Sequence, residues 1–271
     1  MKLEVLNPHG FCAGVAGALR KAHALAANER RVYCYHQIVH NEAVVRDLEQ
    51  KGFVFIEDLA AVPEGEIILF SAHGVAPAIR EEAARRKLRI VDATCPFVAR
   101  VHQEARALAE RGLPVVIIGD ARHDEVKGIR GEVPSAFIWP DVPKDVQRIG
   151  VVCQTTMNAT EVEKILAELR ERYTVETSAS VCRATQERQD AVRAFTGDAL
   201  LVLGSRNSSN TRRLAEVAKC PAFRVGSLEE LNELDLPDVE HLGVTSGAST
   251  PEEFLARAIR SIQDEKGAKL L

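Results

Sequence analysis

Ile67-Ile68-Leu69-Phe70-Ser71-Ala72-His73-Gly74 is the stretch that decides how this chain folds. Four apolar residues in an unbroken run describe a strand covered on both faces rather than one face of an open sheet. A polar loop follows at once, and residues 76–87 then carry the apolar spacing of an amphipathic helix. A second short apolar segment, 89–91, precedes Ala93-Thr94-Cys95-Pro96. Strand, helix and strand in that order read as a parallel βαβ unit.

The same alternation extends outward to both ends. Strands are expected at 3–6, 32–35, 54–56, 115–118, 136–139, 149–152, 174–176, 200–203, 222–225 and 242–244. Helices are expected at 13–27, 41–51, 97–111, 158–172, 186–194, 210–219 and 251–264. The class is α/β, with three similar units built on small parallel sheets. Their expected bounds are 12–95, 96–182 and 183–271, the third joined by the N-terminal segment 1–11. The repeat is one of architecture, without residue-by-residue self-similarity beyond the cysteines.

Composition narrows the function. The 271 residues are 46% hydrophobic, enough for several small cores. A net charge of −4 argues against a nucleic-acid partner, which calls for a basic face. No apolar run reaches bilayer-spanning length and no charged-then-apolar leader opens the chain, so no membrane partner and a cytoplasmic location are expected. Six cysteines in such a protein point to metal binding or burial rather than disulfides.

Three of the six, Cys12, Cys95 and Cys182, stand 83 and 87 residues apart. Each follows an extended stretch and precedes a helical one, so each should sit on a strand-to-helix loop, where open α/β folds place ligands. Three thiolates from three similar units form a cage for a soft metal centre. Cys34 and Cys153 lie within strand-like runs and Cys220 follows a helix end, and these three read as buried apolar groups.

Polar residues gather at other strand ends. Val39-His40-Asn41, His73 and Arg122-His123-Asp124-Glu125 supply imidazoles and carboxylates, with Glu125 the natural proton donor although it reads as part of a charged loop. Thr155 and Thr156 on the Gln154-Thr155-Thr156 loop could relay protons to it. Gly204-Ser205-Arg206-Asn207-Ser208-Ser209-Asn210 and Thr245-Ser246-Gly247-Ala248-Ser249-Thr250 each run into a helix start. Such starts bind anions, although helix capping alone would account for one serine. Neither loop ends in the Gly-Lys-Ser/Thr of a nucleotide-triphosphate loop.

Taken in order, these segments resemble the IspH/LytB family of 4-hydroxy-3-methylbut-2-enyl diphosphate reductases. The resemblance runs through Asn7-Pro8-His9-Gly10-Phe11-Cys12-Ala13-Gly14, Ile38-Val39-His40-Asn41, Ser71-Ala72-His73-Gly74 and Asp92-Ala93-Thr94-Cys95-Pro96. It continues through His123-Asp124-Glu125-Val126, Gln154-Thr155-Thr156, Gly204-Ser205-Arg206-Asn207-Ser208-Ser209-Asn210 and Gly243-Val244-Thr245-Ser246-Gly247-Ala248-Ser249. It implies three α/β units set pseudo-threefold around a central 4Fe–4S cluster, held by Cys12, Cys95 and Cys182 with one iron open. It implies a diphosphate substrate held by His40, His73, Ser208, Ser209, Asn210 and Ser249. It further implies His123 in the substrate site, Glu125 as the acid, Thr155 beside the substrate hydroxyl, and an external electron donor such as ferredoxin or flavodoxin. The chain departs from the family at Asp124, where proline is common; this carboxylate is expected to raise the Glu125 pKa by like-charge repulsion. Two other readings of the cysteines are an iron–sulfur dehydratase acting on a small anion and a zinc protein.

Overall fold

The computed structural model describes residues 1–177, 181–235 and 239–271, the side chains of 265 and 266 excepted. The chain begins with β1 (Lys2–Val5) and α1 (Ala13–Asn28). There follow β2 (Val32–Tyr35), α2 (Glu42–Gln50), β3 (Phe53–Ile56), β4 (Ile67–Phe70), α3 (Pro77–Arg85) and β5 (Arg89–Asp92). The middle of the chain forms α4 (Pro96–Glu110), β6 (Val115–Ile118), α5 (Asp124–Glu132), β7 (Phe137–Ile138), β8 (Arg148–Cys153), α6 (Ala159–Arg170) and β9 (Thr174–Glu176). The last part forms α7 (Arg183–Ala194), β10 (Ala199–Leu203), α8 (Ser209–Glu216), β11 (Ala222–Val225), α9 (Leu228–Glu233), β12 (His241–Ser246), α10 (Glu252–Lys266) and β13 (Lys269–Leu270).

The strands build three small sheets, ordered β3-β2-β4-β5, β7-β6-β8-β9 and β11-β10-β12-β1-β13. Every pairing is parallel. One topology is therefore used three times, and in the third sheet β1 fills the place held by β5 and β9 in the others. The chain's own start thus completes its last sheet, with Leu3 beside Leu242 and Val5 beside Val244.

Central strands explain the continuous apolar runs. All residues of β4, β6 and β10 are buried, because helices cover both faces. Each fully buried Leu, Ile or Phe there contributes about 1.5–3 kcal/mol. The edge strand β5 shows its Arg89 and Ile90 to solvent, charge and shortness blunting an open edge.

By contacts the chain forms two compact units. One comprises Met1–Ala13, His40–Val44 and Arg183–Leu271; the other comprises Gly14–Val39 and Val45–Cys182. No helix of the described residues is long and apolar enough to cross a membrane.

The expected strands and helices are all present, but α5, α9 and the short closing strand β13 are additional to them. Two glycines and five charged residues among the nine of Asp124–Glu132 hide α5 from propensity. Gly128 and Gly131 are there for packing: a Cβ on Gly131 would stand 2.3 Å from Ala76 Cβ, and one on Gly128 would stand 2.9 Å from His102. Cys34 and Cys153 are buried as expected, whereas Cys220 is only half-buried, at the rim of the core around Leu200 and Leu214.

Candidate active site

Cys12, Cys95 and Cys182 each occupy the residue immediately before a helix, α1, α4 and α7 respectively. Their backbone amides are fixed in a matching way. Cys95 N–H donates to Ala72 O at 3.0 Å, Cys182 N–H to Thr155 O at 3.0 Å, and Cys12 N–H to Ala248 O at 3.1 Å. The acceptors lie in the loops after β4, β8 and β12, the equivalent strands of the three sheets. A repeated topology thus delivers the same local geometry to three thiols. All three are half-buried, and helix starts favour a negative ligand group. That chemistry suits a thiolate-held metal or iron–sulfur group. The other strand cysteines do not suit it: burial pushes the Cys153 thiol up to about 12 and the Cys34 thiol further still, holding both neutral.

In the larger unit, Glu125 and Thr155 are joined by two hydrogen bonds. Thr155 N–H donates to Glu125 Oε1 at 2.7 Å and its hydroxyl donates to Oε2 at 3.1 Å. Glu125 is only 1% exposed, not solvated as a charged loop would be. Burial raises its pKa to about 7, against the opposing pull of the two Thr155 bonds. Such a value suits a general acid near neutral pH. The expected contribution of Asp124 is corrected here: burial does the raising, and the Asp124 carboxylate pairs with Lys127 at 3.0 Å.

His123 caps α5 through Nδ1, which accepts from Glu125 N–H at 3.2 Å, and its ring meets that of His73 edge-on at 5.5 Å. The α5 turn therefore brings His73, His123, Glu125 and Thr155 into one neighbourhood. Gln154, fully buried, joins the two loops involved by accepting from Asp120 N–H at 3.0 Å and donating to the Thr156 hydroxyl at 2.9 Å.

The smaller unit holds the hydroxyl and amide set. Ser208 caps α8, its hydroxyl oxygen accepting from Thr211 N–H at 3.3 Å, so the capping reading holds for this serine. Its own hydroxyl proton stays available. Ser209 and Asn210 follow in the first turn of α8, both buried, and neither side-chain polar atom of Asn210 has a hydrogen-bond partner. A buried amide left unsatisfied is costly and marks a place for a ligand. Ser249 donates to the carbonyl of His40 at 3.2 Å, which links two more of the expected residues. Sequence reasoning missed Glu42: its carboxylate accepts from the Ser205 hydroxyl at 2.8 Å and from the Asn207 amide at 3.2 Å, bracing the loop before α8. No sequence signal marks this contact, which spans more than 160 residues.

The chain is 44% identical over 272 residues to a 4-hydroxy-3-methylbut-2-enyl diphosphate reductase of Acidothermus cellulolyticus, covering 94% of this chain and 80% of that protein. It is 40% identical over 280 residues to the protein of that name from Aromatoleum aromaticum, covering 97% and 90%. Among solved structures, the E-1-hydroxy-2-methyl-but-2-enyl-4-diphosphate reductase from Plasmodium falciparum superposes with a TM-score of 0.93 at 32% identity, covering all of this chain and 91% of that one. The model of the family described as LytB protein matches residues 3–263, nearly the whole length, and the chain is accordingly a member of the LytB family.

Proposed function

We infer that this chain reduces 4-hydroxy-3-methylbut-2-enyl diphosphate at the end of the non-mevalonate isoprenoid pathway. Two electrons and two protons replace the allylic hydroxyl by hydrogen, releasing water and giving isopentenyl or dimethylallyl diphosphate. Membership of the LytB family, with relatives of that name at about 40% identity, carries the reading. The doubly held, buried carboxyl of Glu125 supports it from the chemistry.

In this reading Cys12, Cys95 and Cys182 hold a 4Fe–4S cluster with one iron lacking a protein ligand. When bound, that group supplies the electrons and a Lewis-acidic iron. The remaining work belongs to side chains of the chain itself. Glu125, protonated near neutral pH, gives the proton that lets the hydroxyl depart as water. Thr155 holds that carboxyl in place and lies beside the leaving oxygen, and His123 completes this side of the site. His40, His73, Ser208, Ser209, Asn210 and Ser249 grip the diphosphate, using binding away from the reacting carbon to place it. The unpaired amide of Asn210 supports this assignment.

The enzyme acts in the cytoplasm, receives its electrons from an external donor such as ferredoxin or flavodoxin, and is built of units 12–95, 96–182 and 183–271 completed by segment 1–11. The test is anaerobic turnover of the substrate by cluster-loaded protein with and without reductant. Reductant-dependent formation of the two diphosphate products is expected. Consumption of substrate without reductant would replace this reading by a dehydratase.

A further inference from the structure

His102 lies on α4, two turns beyond Cys95, and its side chain is almost completely buried. Its ring sits between two elements of the larger unit. A Cβ placed on Gly74 would stand 3.1 Å from His102 Nε2, and one placed on Gly128 would stand 2.9 Å from Cε1. Gly74 follows His73 in a loop whose backbone adopts φ +76°, and Gly128 belongs to α5, which begins with Asp124 and Glu125. Both glycines are thus hollowed out around one imidazole.

Apolar packing alone would call for leucine or phenylalanine here. Histidine adds a polar latch: Nδ1 stands 3.0 Å from Glu132 Oε1, on the last residue of α5. The Glu132 side chain is only 6% exposed and also faces Arg106, whose Nη1 lies 3.4 Å from Oε2. Nε2 is buried without a hydrogen-bond partner. Burial, the largest influence, lowers the His102 pKa, so the ring is neutral with Nδ1–H donating to the carboxylate. The latch sets the roll of the ring, and the ring's width sets how far the His73 loop stands from α5.

We propose that His102 is a positioning residue for the reduction, holding the loop of His73 and the helix of Glu125 at their working separation. The proposal rests on the roles assigned to His73 and Glu125 above. It requires no contact between His102 and substrate.

The test compares three variants of the cluster-loaded enzyme: His102→Ala, His102→Asn, which keeps a donor for Glu132 but loses the ring's width, and Val101→Ala, a neighbouring core truncation. Measurements are kcat, KM, iron content, melting temperature and the titration of the Glu125 carboxyl by infrared difference spectroscopy. Both His102 variants should lose about 10–100-fold in kcat, since displacements near 1 Å carry such costs. Their KM should change by less than about threefold and their iron content should hold, because the diphosphate grip and the cysteines lie elsewhere. The Glu125 titration should move down toward the ordinary carboxyl range as α5 loosens, and added imidazole should restore kcat in His102→Ala. Val101→Ala should lose melting temperature alone. Unchanged kcat and Glu125 titration in His102→Asn would overturn the proposal, as would an equal kcat loss in Val101→Ala. Failure of the acid assignment looks different: Glu125→Gln would turn over normally, while an imidazole-rescued loss in His102→Ala would still support the spacing role.

Discussion

Thr155 holds Glu125 at two points, its backbone N–H at 2.7 Å from one carboxyl oxygen and its hydroxyl at 3.1 Å from the other. The same threonine accepts at its carbonyl from the amide of Cys182. One residue therefore fixes both the proposed acid and the backbone of Cys182. Because both bonds to Thr155 lower the Glu125 pKa, deleting the hydroxyl should raise it. In Thr155→Val, the alkaline limb of the pH–rate profile should shift upward, along with a fall in kcat. A downward shift would show that the hydroxyl does not stabilise the ionised carboxylate.

Burial of Glu125 also has a stability signature. Its folded pKa, about 7, exceeds the ordinary glutamate value of 4.5, so the native state binds the proton more tightly than the unfolded chain. There is no cost below the unfolded pKa, and stability is lost as pH rises from about 4.5 through 7. Glu125→Gln removes that loss. The variant should match wild type near pH 4.5 and exceed it by about 3 kcal/mol at pH 8, from 1.36 kcal/mol per pKa unit. Urea melts at the two pH values would show this, and a gain independent of pH would contradict it.

Asp124 is the residue at which the resemblance leads us to expect proline. It occupies the first position of α5, where proline is tolerated because the amide has no helical partner. With its carboxylate turned to Lys127, Asp124→Pro should leave the alkaline limb of the pH–rate profile within about 0.3 unit of wild type, well under the spread that neighbouring charges produce. A downward shift approaching one unit would restore like-charge repulsion as a cause.

Much of this architecture is legible in the sequence, for a physical reason. Ile67–Phe70, Val115–Ile118 and Ala199–Leu203 are strands covered on both faces, so continuous apolar runs announce them. Cys12, Cys95 and Cys182 stand at strand-to-helix junctions that glycine or proline helps to mark in the first two cases. Helix α5 is not legible, because Gly128 and Gly131 serve tertiary contacts that no local pattern encodes. In the sequence alone Glu125 therefore looks like a loop carboxylate. Glu42 and His102 are not legible for the same reason: each has meaning only through a partner distant in the chain.

Asn210 and Ser208 share a helix start but should respond differently to truncation. The Asn210 side chain makes no hydrogen bond among the described residues, so Asn210→Ala should leave the melting temperature of the ligand-free protein unreduced. It should weaken diphosphate binding by about 1.5–3 kcal/mol, roughly one to two decades, and spare the unphosphorylated alcohol. Ser208→Ala should weaken the same binding and also cost about 1 kcal/mol of stability through the lost cap. Equal effects of Asn210→Ala on both ligands in a titration would remove this residue from the diphosphate grip.

The most direct measurement of the whole account is the anaerobic turnover rate of Glu125→Gln, taken on protein whose iron content and visible spectrum match wild type. The variant keeps the shape that accepts the Thr155 amide but lacks the transferable proton. Its kcat should fall by about 10²–10⁴-fold with substrate affinity retained. Turnover near that of wild type, on protein with matched iron content, would contradict the assignment of Glu125 as the acid.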